Sequence, residues 1–245
     1  MIRSQKDLAE VQQPTVERLT QTEKLLLRYE GIRDWTMGNQ RTVGMIGLGV
    51  VAIVVGILWY VGQRKTNSEH AATYLSRVLP YSIQGEYRRA IDGDMTRRVQ
   101  GDPVYGLSYI VREFGSTEAG SQAALALGNA YYALGNYDSA GIAFDKASSD
   151  YPLVLASIEA GRAAILEHSG NKIEAAKLLE SAARRDKGNP LNADYLLAAA
   201  RDYDQPQGGK RDDAIRIYRE IAEVYPSTQF DDAARRELLK LNVEL

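Results

Sequence analysis

Residues 128–152 read GNAYYALGNYDSAGIAFDKASSDYP, and the spacing inside this stretch decides the fold. Small residues (Gly128, Ala140, Ala147) and bulky ones (Tyr131, Tyr137, Phe144) recur at intervals of three and four, a helical period rather than a strand's. Gly135 separates two such runs and Pro152 follows the second. The pattern predicts two antiparallel helices, with small side chains where the helices cross and large ones filling the gaps. One such pair cannot bury its own apolar face, so further copies are expected. A looser copy begins near Leu155, with Gly161, Ala164, Gly170, Ala175, Leu179 and Ala182, and its closing proline arrives late, at Pro190. A third carries Ala200, Tyr203, Gly209, Ala214, Tyr218, Ile221 and Pro226. The equivalent alanines Ala140, Ala175 and Ala214 lie 35 and then 39 residues apart, which reads as insertion in the loops. Upstream, YGLSYIVREFGSTEAG at 105–120 parallels IRIYREIAEVYPSTQFDD at 215–232, Phe114-Gly115-Ser116-Thr117 standing where Tyr225-Pro226-Ser227-Thr228 stand. Residues 231–241 read as a closing helix with charges outward. Roughly three and a half repeats satisfy the minimum for a self-supporting solenoid.

Position by position, Leu127-Gly128, Tyr131, Gly135, Tyr137, Ala140, Phe144, Ala147 and Pro152 resemble the tetratricopeptide repeat; the departure is Ala124, where a bulky aromatic is usual. The resemblance implies an all-α stack of helical hairpins whose first helices line a groove that binds protein segments. By the repeat register, Gln122, Leu125, Asn129 and Tyr132 face that groove in the first full copy, Ile158, Arg162 and Ile165 in the second, and Leu197, Arg201 and Asp204 in the third. The plainer reading of each is an ordinary solvated helix face. The family's chaperone-tail binders use lysine and asparagine at fixed groove positions. Asn129 fits one, but Leu125 stands where lysine is wanted, which argues against a C-terminal carboxylate as ligand. A mixed aromatic, arginine and aliphatic groove suits extended or helical protein segments.

Residues 43–61, VGMIGLGVVAIVVGILWYV, hold no charged side chain. Gly47-Leu48-Gly49-Val50-Val51-Ala52 matches GxGxxA, and Glu69 follows twenty residues after Gly49. A dinucleotide site needs a following helix with one wet face and a second apolar strand, however. Residues 63–68, QRKTNS, cannot be that strand, so the nucleotide reading fails. Nineteen uncharged residues at ~1.5 Å each give ~28 Å, close to the hydrocarbon thickness of a bilayer. Trp59 and Tyr60 fall at one end, where amphipathic rings prefer the headgroups, and Arg41 and Arg64-Lys65 bracket the run. Starting at Val43 and longer than a signal peptide's apolar core, it is expected to be an uncleaved anchor. Gly49, Ala52 and Gly56 share one face, which allows another span to approach closely, although glycine is common in membrane helices generally. Four Lys or Arg within twenty residues before the span and three after it do not set its orientation.

Residues 1–42 carry seven basic and six acidic groups and are no polybasic arm. Val16, Leu19, Leu26 and Tyr29 predict a short amphipathic helix over residues 15–30, lying on membrane or partner or simply solvated. A net charge of −2 offers nothing to nucleic acid. The absence of cysteine removes disulfides and thiolate chemistry, and two histidines, His70 and His168, are too few for a histidine metal site. Asp92-Gly93-Asp94 and Asp202-Tyr203-Asp204 are the close carboxylate pairs; the first reads as a turn, the second as a helix end, and neither completes a calcium loop. No nucleophile elbow, P-loop or HExxH pattern occurs. No cofactor or catalytic residue is expected.

The layout is then an N-terminal segment (1–42), a transmembrane helix (43–62), a helical connector (63–102, with helices near 70–79 and 86–91) and a repeat solenoid with a capping helix (103–245). That layout resembles the YfgM-like family of bacterial inner-membrane proteins. The resemblance implies a cytoplasmic N-terminus, a periplasmic repeat domain, and a role beside the translocation channel, handing polypeptides to periplasmic chaperones. The alternative is a structural or assembly subunit of another inner-membrane complex.

Overall fold

A computed structural model of the protein describes residue 29, residues 36–205 and residues 209–243. The amphipathic helix expected over residues 15–30 lies outside these, apart from Tyr29, which is helical and exposed. The chain divides into two compact units, residues 1–61 and 62–245. The helix α1 (Gln40–Ile83) starts in the first and ends in the second.

In the first unit the side chains of residues 44–61 are all exposed. Among the described residues α1 is the one helix long and apolar enough to cross a membrane. Its small face is open: no heavy atom lies within 4 Å of a Cβ built on Gly49 or Gly56.

In the second unit, residues 62–83 complete α1. Ala71, Leu75 and Val78 recur at four and three residues, so they fall on one stripe, and that stripe is buried in the core. The connector, where helices were expected near 70–79 and 86–91, also holds two strands. After α2 (Tyr87–Asp92) the chain forms an antiparallel hairpin, β1 (Gly93–Val99) with β2 (Asp102–Tyr105). Two local causes end the helix. Gly93 takes φ +88°, where a Cβ would sit 2.4 Å from the Val104 carbonyl oxygen. Asp94 Oδ1 then accepts from the Thr96 and Arg97 amides, both at 3.1 Å, and from the Thr96 hydroxyl at 2.6 Å. This side-chain alternative to the helical ladder creates the irregularity between Asp94 and Arg98. The hairpin turns at Gln100-Gly101, both at positive φ. Arg77 of α1 ties down its tip through Gln100 (2.9 Å) and Asp102 (3.5 Å).

The remaining helices run in hairpin order: α3 (Leu107–Phe114), α4 (Glu118–Ala133), α5 (Tyr137–Lys146), α6 (Pro152–His168), α7 (Lys172–Arg185), α8 (Asn192–Tyr203), α9 (Arg211–Val224) and α10 (Gln229–Lys240). Each packs on the next, and first helices also meet directly, α4 with α6 and α8 with α10. This is an all-α tetratricopeptide-repeat solenoid of the expected hairpins, α4–α5, α6–α7 and α8–α9, preceded by one long apolar helix. Ala140, Ala175 and Ala214, the alanines that mark the repeat, are each fully buried. The upstream half-copy is α3, equivalent to α9. Thr117 and Thr228 cap the following helices identically, each accepting from the amide three residues on (Gly120 at 3.0 Å, Asp231 at 3.2 Å). Each also donates its hydroxyl to the end of the preceding helix or the residue after it, Phe114 O at 2.8 Å and Tyr225 O at 2.7 Å.

Phe144 shows why the small residues stand where they do. Its ring lies between α4 and α6, so that a Cβ on either Gly128 or Gly161 would come within 2.5 Å of it. In the 35-residue pitch of Ala140 and Ala175, Gly128 is matched by Ala163, and Gly161 leaves room for the same ring instead. Further along, second helices are laced together from outside: Arg184 and Arg216 reach Glu220 and Glu180 at 3.0–3.2 Å. Within the second repeat, Arg185 of α7 grips the buried carboxylate of Glu159 on α6 through both carboxylate oxygens.

Candidate partner-binding groove

The first helices α4, α6 and α8 carry the candidate groove, and their register sets which side chains are free. Counting 35 residues from repeat to repeat, the pitch of Ala140 and Ala175, aligns Tyr132 with Glu167 and Asp202. Each is the penultimate residue of its helix. The same count aligns Asn129 with Ala164 and Ala199. Exposure falls along the line, from Asn129 and Tyr132, which are exposed, through Ala164 and Glu167, half-buried, to Ala199 and Asp202, buried.

Set against this register, the expected groove residues separate. In the first copy Gln122, Asn129 and Tyr132 are exposed and Leu125 half-buried. In the second, Ile158 is wholly buried in the core, because the expectation took Gly161 as the counterpart of Gly128 and so misplaced the helix face. Arg162 is half-buried and its guanidinium is engaged: it donates to the Phe144 and Ala147 carbonyls at 3.1 and 3.2 Å, closing the C-terminus of α5. Ile165 is half-buried. In the third, Leu197 is core, at 6% exposure, Arg201 is exposed, and Asp204 is the half-buried residue that ends α8. Tyr132 does not stand alone. Its ring meets Tyr137 edge-on at 5.2 Å, and Tyr137 stacks on His168, the last residue of α6, at 3.5 Å.

The residues the sequence did not bring together are Glu167 and Asp202. Asp202 was paired with Asp204 as a sequence neighbour, yet the carboxyl that bears on its titration is that of Glu167, one repeat earlier. Asp202 Oδ2 is buried and receives no hydrogen bond from any amide, hydroxyl or ammonium group. Burial, and then the hydrogen bond and charge of Asp202, push the Glu167 carboxyl up to about 7, with Lys172 opposing. Burial raises Asp202 as well, against the pull of Glu167 and Lys172. Lys172 itself gives its ammonium to Gln205 Oε1 at 3.1 Å. The 35-residue phase shared by 132, 167 and 202 was the signal that could have found the pair.

A separate cavity of about 310 Å³ opens among α3, α4 and α5, lined by Val111, Leu127, Tyr131 and Ile142 with Arg112 and Lys146. Its apolar wall and two cations would suit an apolar side chain with an acidic neighbour.

Two segments of the chain, residues 122–153 and 193–228, match the tetratricopeptide repeat family. They cover the first hairpin α4–α5 and the third, α8–α9, and such repeats commonly bind other proteins. No curated protein and no solved structure matches the chain.

Proposed function

We propose that this chain is a non-enzymatic, membrane-anchored scaffold that binds other proteins through its repeats. In this reading it is a single-pass protein of a bacterial inner membrane, its N-terminus cytoplasmic and its repeat domain periplasmic. It serves there as an accessory of protein translocation or folding beside the channel and periplasmic chaperones. The observation that carries the binding role is the set of exposed side chains on the first helices of the first and third repeats, Asn129 and Tyr132 on α4 and Arg201 on α8, within a repeat family that commonly binds proteins. The exposed apolar run of α1 supports the anchor.

The chain has no cysteine, so compartment is tested directly. Single cysteines at Ser4 and, separately, at the exposed Lys187 are labelled in intact cells with an impermeant thiol reagent, after the outer membrane is opened. Labelling at Lys187→Cys but not at Ser4→Cys is expected; the reverse would sink the periplasmic reading. Photo-crosslinkers at Tyr132 and Arg201 in native membranes then identify the partner. Channel proteins or chaperones are expected, whereas one stoichiometric foreign assembly would favour a structural-subunit role.

A further inference from the structure

The second helices of the solenoid carry an ion-pair network at one seam and a cavity at another, in the same positions of the repeat. Between α7 and α9, Glu180 pairs with Arg216 and Arg184 with Glu220, at 3.0–3.2 Å. The alanines Ala140, Ala175 and Ala214 align α5, α7 and α9, and the caps Thr117 and Thr228 align α3 with α9. In that register Glu180 and Arg184 correspond to Ser108 and Arg112 of α3, and Arg216 and Glu220 correspond to Ile142 and Lys146 of α5. Those four residues line the cavity of about 310 Å³ among α3, α4 and α5. Where the seam of α7 and α9 sets two pairs of opposite charge, the seam of α3 and α5 sets a serine with an isoleucine and a cation with a cation.

Among the described residues no Asp or Glu lines this cavity, so the carboxylate that closes the other seam is the group missing here. Arg112 Nε reaches the neighbouring Glu113 at 2.7 Å, and its guanidinium carbon lies 5.4 Å from the Tyr109 ring centroid. Among the described residues, the two terminal nitrogens of Arg112 and the Lys146 ammonium have no hydrogen bond or ion pair. Both side chains are exposed. The surface between them is apolar: Val111 and Leu127 are buried, and Ile142 is 61% exposed. Covering that isoleucine removes apolar area from water, which favours an apolar occupant. The volume stands at the lower end of the range for ligand pockets and holds a bulky side chain rather than a large cofactor.

We propose that this cavity is a docking site for a partner polypeptide that presents a glutamate or aspartate beside a bulky apolar side chain. The apolar side chain packs on Val111, Leu127 and Ile142. The carboxylate takes the part that Glu220 plays toward Arg184, accepting charge-assisted hydrogen bonds from Arg112 and Lys146. Both cations belong to second helices, so the site is distinct from the groove of the first helices. It rests on the reading that the repeats bind protein, but not on the groove being where they do so.

The test is fluorescence anisotropy on the full chain in phosphatidylcholine nanodiscs, with the fluorescein-labelled peptide Gly-Ser-Leu-Glu-Leu-Glu-Gly-Ser. Its two counterparts carry Gln for both Glu, or Ser for both Leu. The Leu-Glu peptide is expected to bind, each counterpart at least about tenfold more weakly, and added salt should weaken the Leu-Glu complex. Lys146→Glu supplies the missing carboxylate from the chain itself, as at α7 and α9, at an exposed position that the core does not need. Its thermal midpoint should hold while peptide affinity falls at least about tenfold. Ile142→Ser, also exposed, should weaken binding too, whereas Tyr132→Ala in the groove should leave it unchanged. No binding of the Leu-Glu peptide, equal affinity for the Gln peptide, or wild-type affinity in both Lys146→Glu and Ile142→Ser would each overturn the site. Binding lost in Tyr132→Ala but kept in Lys146→Glu would put the peptide in the groove, overturning this site and leaving the protein-binding role of the repeats intact.

Discussion

At the scale of single residues, the repeat is held by volume. Phe144 fills the space that Gly128 and Gly161 leave, and the three are one packing unit. Gly128→Ala should therefore cost roughly 1–3 kcal/mol by overpacking, because its methyl would come within 2.5 Å of the ring. Gly141, in the next helix, is the contrast: its nearest neighbour would be Ile165 Cγ2 at 3.6 Å. Gly141→Ala should be neutral or stabilise by up to ~1 kcal/mol, through helix propensity alone. Denaturant midpoints of the two variants separate a steric origin from a backbone one; similar losses in both would count against the Phe144 wedge. The caps act at this scale too. Thr117 and Thr228 were recognisable in sequence as a repeated pair, since capping depends on residue type and a three-residue spacing and on little else.

At the scale of elements, the hairpin β1–β2 departs from what periodicity predicts. Residues 86–91 have a helical period and do form α2, but the next turn is captured by Asp94. The hydroxyl and amide donors of Thr96 hold the Asp94 carboxyl low, at about 2, against the effect of burial, with the Arg97 amide and Tyr81 hydroxyl adding to them. A depressed carboxylate contributes stability above its unfolded value and loses it as pH falls through the folded one. Asp94→Ala should therefore accelerate exchange of the Thr96 and Arg97 amides at neutral pH. The difference from wild type should shrink only as pH drops from about 4 toward 2. A variant with unchanged exchange at pH 7 would remove Asp94 as the organiser of the hairpin. The network across α7 and α9 belongs to the same scale. In Glu180, burial works to raise the carboxyl, and hydrogen bonds from Arg216 and Arg184 overcome it and hold it low.

At the scale of the molecule, the second unit holds two apolar clusters, one gathered around α1 to α5 and one around α6 to α10. In a solenoid each hairpin contacts only its neighbours, so damage spreads by nearest-neighbour coupling rather than all at once. Tyr218 is 1% exposed in the C-terminal cluster, and Tyr218→Ala should remove several kcal/mol, about 3–5 for an aromatic of this size. The expected readout is a loss of amide protection concentrated in α8, α9 and α10, with α3, α4 and α5 less affected. A uniform loss across the unit would mean that it unfolds as one cooperative body instead.

What the sequence determined by itself is whatever depends on local period and residue size. This covers the apolar run of α1, the hairpins marked by Ala140, Ala175 and Ala214, and the equivalence of α3 with α9. Such features need only a spacing and a side-chain volume to be read. What only the tertiary structure decided depends on which face of a helix meets which neighbour. Ile158 and Leu197 went from groove to core because a phase error of one or two residues turns a helix by 100–200°. Arg162 was spent on the carbonyls that end α5, a contact 15 to 18 residues away in sequence. Glu167 and Asp202 bear on each other's carboxyls across 35 residues of sequence. Burial then raised both carboxyls above their ordinary range.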